Sequence, residues 1–82
     1  MTAQQLISEV KNRLAGLDAR LRFDVVEAGV RQDDEWWYVP VIPEMSDGRL
    51  AARDFSVNVL AGVETKLHSD LGINVLFIPA TR

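Results

Sequence analysis

Apolar positions along this chain alternate between steps of three or four residues and steps of two, and the changes of period mark its elements. Leu6, Val10, Leu14 and Leu17, with Ile7 beside them, recur at helical spacing and lie along one face. Thr2 and Gln5 ahead of them fit the capping box S/T-x-x-E/Q, in which each side chain satisfies the other's backbone N–H. Gly16 can take the left-handed position that closes a helix, with Leu17 folding back onto it. The spacing therefore predicts a helix over 3–15.

From Leu21 to Arg31 the chain turns β-branched and apolar, and its second half alternates Val26, Ala28, Val30 against Glu27, Gly29, Arg31. A strand with one wetter face is expected there, with Gly29 marking a bulge. Gln32, Asp33, Asp34 and Glu35 form a polar turn, after which WWYVPVIP resumes as a second strand of a hairpin. Pro40 cannot donate to a ladder, so that strand needs an edge position or a bulge. Pro43, Ser46, Asp47 and Gly48 break the chain into a loop.

Ala52, Phe55, Val59, Val63, Leu67 and Leu71 then return to helical steps, widened by Leu60, which predicts a long second helix from about Arg49 to Gly72. Gly62 reads as a point of close helix approach. The final INVLFIP is an apolar run without polar alternation, bounded by Gly72 and Pro79, as in a strand covered on both faces. A lone hairpin is marginal, so the third strand should join it in one sheet. The expected architecture is an α/β (α+β) two-layer sandwich of αββαβ order, with a three-stranded mixed or antiparallel sheet and two helices packed on one face. Strand order is either 1-2-3 with a parallel last pair or 2-1-3. Two helices on one face would leave the other face to be covered by something else.

Composition sets limits on this picture. The 82 residues supply one domain, 1–82, with one small core. The apolar fraction of 48% and charged fraction of 26% are those of a folding chain and not of a disordered one. There is no cysteine, so neither disulfides nor thiolate zinc sites can staple the core, and packing or association with a second chain has to hold it. No apolar run approaches a membrane span or a secretory leader, from which a cytoplasmic location is expected. A net charge of −3, with Asp33, Asp34 and Glu35 as the densest cluster, argues against a phosphate-binding surface, which needs a basic stripe.

Candidate chemistry is sparse. The only histidine, His68, has no serine in a G-x-S-x-G elbow to activate, and a place on the polar flank near a helix C-terminus accounts for it. Glu64 and His68 share a helix face four residues apart, but two ligands are too few for a metal site even with Asp70 nearby. The acidic turn lacks the spacing of a calcium loop, and a charged tip that discourages edge pairing explains it. Asp24 and Glu27 are the only carboxylates placed for acid–base work, and both can face water. The glycines form no phosphate-binding loop. No catalytic, cofactor-binding or metal residue is assigned, and no cofactor is implied.

The most informative feature is Trp36, Trp37, Tyr38. Successive strand residues point to opposite faces, so Trp36 and Tyr38 share one side and Trp37 and Val39 the other. Both indoles cannot lie under the same helices. Either one Trp anchors the core while the other lies across its neighbours, or the outward aromatics join one side of 75–78 in a patch that a second protein covers. Trp and Tyr are enriched among interface hot spots, and the acidic residues before them disfavour single-stranded nucleic acid. The candidate interaction surface is Trp36, Trp37, Tyr38 and Phe77. The expected function is a non-enzymatic protein-interaction or assembly module, homodimeric or bound to another protein through the sheet face or the edge of the second strand. The alternatives are a nucleic-acid binder using Arg20, Arg22, Arg49, Arg53 and the aromatics, and a small enzyme or ligand binder with Glu64, His68 and Arg53 at a subunit interface.

Overall fold

The computed structural model describes residues 1–17, 20–45 and 53–80, and of residues 53–56 the backbone alone. The first helix, α1, runs Ala3–Leu14. Its start is fixed as the sequence predicts: the Gln5 N–H donates to Thr2 Oγ1 at 3.2 Å, and the Thr2 N–H donates to Gln5 Oε1 at 2.8 Å. At the far end Gly16 takes φ +69, and the Ala15 N–H closes onto the Lys11 carbonyl. Leu17 lies exposed beyond the turn instead of folding under it.

Among the described residues two α-helices and four strands give the class α+β: β1 (Leu21–Val25), β2 (Arg31–Asp33), β3 (Trp36–Met45) and, after α2 (Arg53–Leu71), β4 (Asn74–Pro79). β3 is the centre of the sheet. β1 and β2 both lie antiparallel along one of its sides, and β4 lies parallel along the other. Two expectations are corrected here. The sheet has four strands in place of three, and the strand holding Pro40 is central, which removes its edge as a docking site.

Pro40 accounts for the fourth strand. Its carbonyl accepts the Val26 N–H at 2.9 Å, so its backbone faces the β1/β2 side, where its ring nitrogen has no proton to give. Opposite it the edge chain leaves the ladder as a single 3₁₀ turn, Glu27–Gly29, and re-enters as β2. Val25 pairs with Val41 and Arg31 with Tyr38, so the edge takes six steps where β3 takes three. That odd excess inverts the facing of side chains between β1 and β2. A Cβ on Gly29 would lie 2.9 Å from Pro40 Cγ, so the turn passes over the proline only because residue 29 has no side chain. Pro43 and Pro79 sit where no donor is needed. The Val41 carbonyl, facing β4, is met by the Ala80 N–H at 2.7 Å beyond the last paired residue, which leaves Pro43 past the end of the parallel pair. The nitrogen of Pro79 has the same outward facing as that of Phe77, toward the free edge.

Both helices bury their apolar faces in a single core. Leu6, Val10 and Leu14 of α1 and Leu60, Val63 and Leu67 of α2 meet Trp37, Val39 and Val41 of β3 and Val75 and Phe77 of β4. Phe23 and Val25 of β1 close its margin. Leu71, expected in the helical stripe, is exposed, and a Cβ on Gly62 would meet nothing within 4 Å among the described residues. Arg13 links the helices, its Nε 2.8 Å from Glu9 and its Nη1 2.9 Å from Asp70. These carboxylates, Asp70 foremost, hold its guanidinium above its ordinary pKa, so it stays charged. The loop at 46–48, the expected helix start at Arg49, and Ala52 lie outside the described residues, as does the Phe55 side chain. No described helix is long and apolar enough to cross a membrane.

Candidate protein-docking face

Strand alternation divides WWY between the two sides of the sheet. Trp37 is only 7% exposed and lies among the helix side chains, whereas Trp36 is 45% exposed on the side without helices. Phe77 goes with Trp37 into the core, because its register partner on β3 is Val39 and paired residues share a face. Trp37 and Phe77 are therefore anchors of the fold, and the accessible part of the candidate surface is Trp36 and Tyr38. Sequence reasoning did not single out Leu76, their neighbour on β4, which is 42% exposed. Its register partner, Tyr38, is the signal that would have found it.

The open face has three rows. The middle row, along β3, is Trp36, Tyr38, Pro40, Ile42 and Glu44, of which Ile42 is buried and the Glu44 side chain largely so, which leaves the 36–40 half accessible. On β4 it is flanked by Asn74, Leu76 and Ile78, paired with Trp36, Tyr38 and Pro40. On the other side β1 and β2 supply Arg22, Asp24, Arg31 and Asp33, paired with Glu44, Ile42, Tyr38 and Trp36. Beside β4, at the 36–40 end, the result is a short apolar band two strands wide with a charged rim along one edge. Arg22 reaches Glu44 at 3.4 Å, and the Arg31 guanidinium lies 5.1 Å from the centre of the Tyr38 ring, where the ring's quadrupole holds it.

The edges of the sheet are less available than its face. On β4 the Phe77 N–H, aimed outward, donates to Glu64 Oε1 of α2 at 3.0 Å. With Pro79 two residues on, little of that edge can pair with an added strand. The opposite edge is broken by the 3₁₀ turn.

Glu64 and His68 do come together with Trp36, Thr65, Asn74 and Val75, around an open groove of about 320 Å³ beside β4. Glu64 is already engaged by the Phe77 amide, and among the described residues no three His, Cys, Asp or Glu side chains are grouped to hold a metal. Asp24 and Glu27 are both exposed, and Glu27 pairs with Lys11 at 2.9 Å. Of the arginines considered for nucleic acid, Arg20 is exposed before β1, Arg22 pairs with Glu44, and Arg49 and the Arg53 side chain lie outside what is described. Asp24, Asp33 and Glu44 interrupt the cations of the open face, so they form no continuous stripe.

Comparison with protein-family models, characterised proteins and solved structures finds no match to this chain.

Proposed function

We propose that the protein is a non-enzymatic docking and assembly module whose binding surface is the helix-free face of its sheet. The observation that carries this reading is the accessible aromatic and aliphatic band of Trp36, Tyr38, Leu76 and Ile78, in a domain whose other sheet face is filled by two helices. Single exposed apolar residues are ordinary, but a contiguous patch backed by a rigid sheet and edged with charge has the makeup of an interface core and rim. Trp36 and Tyr38 are of the types that dominate binding energy. The satisfied edge at Glu64 and Phe77 favours contact through the face over strand addition.

Site-specific photo-crosslinking tests this. A photoreactive side chain at Leu76 should yield adducts in cells, and the same group at Ser69, exposed on α2, should not. Equal labelling from both positions, or none from Leu76, would overturn the reading.

A further inference from the structure

We infer that the partner docks an extended segment that is cationic at one end, with an arginine or lysine seated in the groove beside Trp36 and apolar residues running on over Leu76 and Ile78. The inference rests on the docking-face reading above and adds the chemistry and the direction of the partner segment.

The groove joins the open face at the start of β4. It is lined by Trp36, Asn74 and Val75 from the sheet and by Glu64, Thr65 and His68 from α2, around about 320 Å³. Two of its groups favour a cation. The Trp36 indole is half exposed and no described cation lies over it, although the face of an indole is the best of the aromatic cation acceptors. Arg31, on the β2 side, is held by the Tyr38 ring, and the groove opens on the opposite, β4 side. Glu64 gives Oε1 to the Phe77 N–H, and its second oxygen makes no hydrogen bond among the described residues.

The charge balance of the domain points to the same end. Lys11 pairs with Glu27, Arg13 with Glu9 and Asp70, and Arg22 with Glu44, while Lys66 lines a different groove with Arg13 and Leu17. Asp33, Asp34 and Glu35 make no ion pair among the described residues, and Asp33 is the register partner of Trp36. Uncompensated negative charge is thus gathered beside the groove, where it draws a cation in and repels an anionic partner.

The direction follows from strand geometry. Asn74, Leu76 and Ile78 stand on the open face at alternate positions of β4, so Leu76 lies about 7 Å and Ile78 about 13 Å beyond the residue that lines the groove. An extended segment with its cation in the groove therefore sets its third and fifth side chains over Leu76 and Ile78, within the accessible half of the face.

Titration of the isotope-labelled whole protein with synthetic peptides tests this by nuclear magnetic resonance, read at the Leu76 amide and the Trp36 indole N–H. The probe is the blocked pentapeptide Arg-Thr-Leu-Thr-Leu. One control replaces its arginine by citrulline, which keeps the shape and loses the charge, and another replaces both leucines by serine. The arginine peptide should give saturable shifts at both reporters, and the citrulline peptide should bind at least about fivefold more weakly. Glu64→Gln, which retains an acceptor for the Phe77 N–H, should weaken the arginine peptide about threefold and leave the citrulline peptide unchanged. Equal binding of the arginine and citrulline peptides overturns the cation site and leaves the docking face standing. Equal binding of the serine peptide and its parent removes the direction, and the inference with it. No shift at either reporter with the arginine peptide overturns the inference, and the docking face is then judged by crosslinking from Leu76 alone. Shifts of the Trp36 indole that follow dilution of the free protein place a second copy on the face and overturn the inference as well.

Discussion

The two faces of this sheet are made by the same strands, with adjacent residues of β3 contributing to each, yet they differ in what holds them. On the helix side Trp37, Val39, Val41, Val75 and Phe77 interlock with six helical side chains. On the open side Trp36, Tyr38, Leu76 and Ile78 have no helical layer over them among the described residues and stay partly or largely exposed. The residue types are much alike, so hydrophobicity does not distinguish the faces; the presence of a covering layer does. The helix side is where folding free energy is concentrated, and the open side is where apolar surface remains to be used by association.

Substitution at the paired tryptophans should break this comparison most visibly. Trp37→Ala should cost about 3 to 5 kcal/mol, enough to unfold a domain this small, whereas Trp36→Ala should change the stability of the dilute protein by less than about 0.5 kcal/mol; urea unfolding reads both. Comparable losses at the two positions would erase the distinction. A smaller effect is expected where the edge chain passes over the open face. Gly29→Ala should destabilise by about 1 to 3 kcal/mol through its contact with the Pro40 ring, and Pro40→Ala in the same chain should recover part of that loss. The least of the three concerns the rim of the helix side. Glu64→Ala leaves the Phe77 N–H without its partner, at a cost of about 1 kcal/mol, and hydrogen exchange at that amide should accelerate while exchange at Val39 does not.

What the sequence made legible was what is local. Thr2 and Gln5 declare their cap by spacing alone, and Leu6, Val10 and Leu14 declare a face. The split of Trp36 from Trp37 follows from strand geometry before any partner is known, although which of them is buried depends on which face the helices take. The break between β1 and β2 was less legible, because its cause lies across the ladder. Gly29 signalled a bulge, but the departure of 27–29 is dictated by a proline that pairing brings opposite it. The Glu64 bond to Phe77 joins residues on separate elements and has no sequence signature at all. For the same reason the open face could be anticipated as a need, an apolar final strand with helices enough for one side, while its rim and its rows required the register.

The arrangement around β3 also sets an order of events for folding. Its antiparallel partner β2 is reached through the two-residue turn Asp34–Glu35, a closure that needs almost no search and proceeds in microseconds. Its parallel partner β4 is reached only after the whole of α2 has been traversed, so that pairing carries the larger loop-closure entropy. Substitutions in the turn should therefore slow folding, and substitutions in β4 should chiefly hasten unfolding. Asp34, which holds φ at 60 without being a glycine, is the position where the early step can be tuned without touching either face of the sheet.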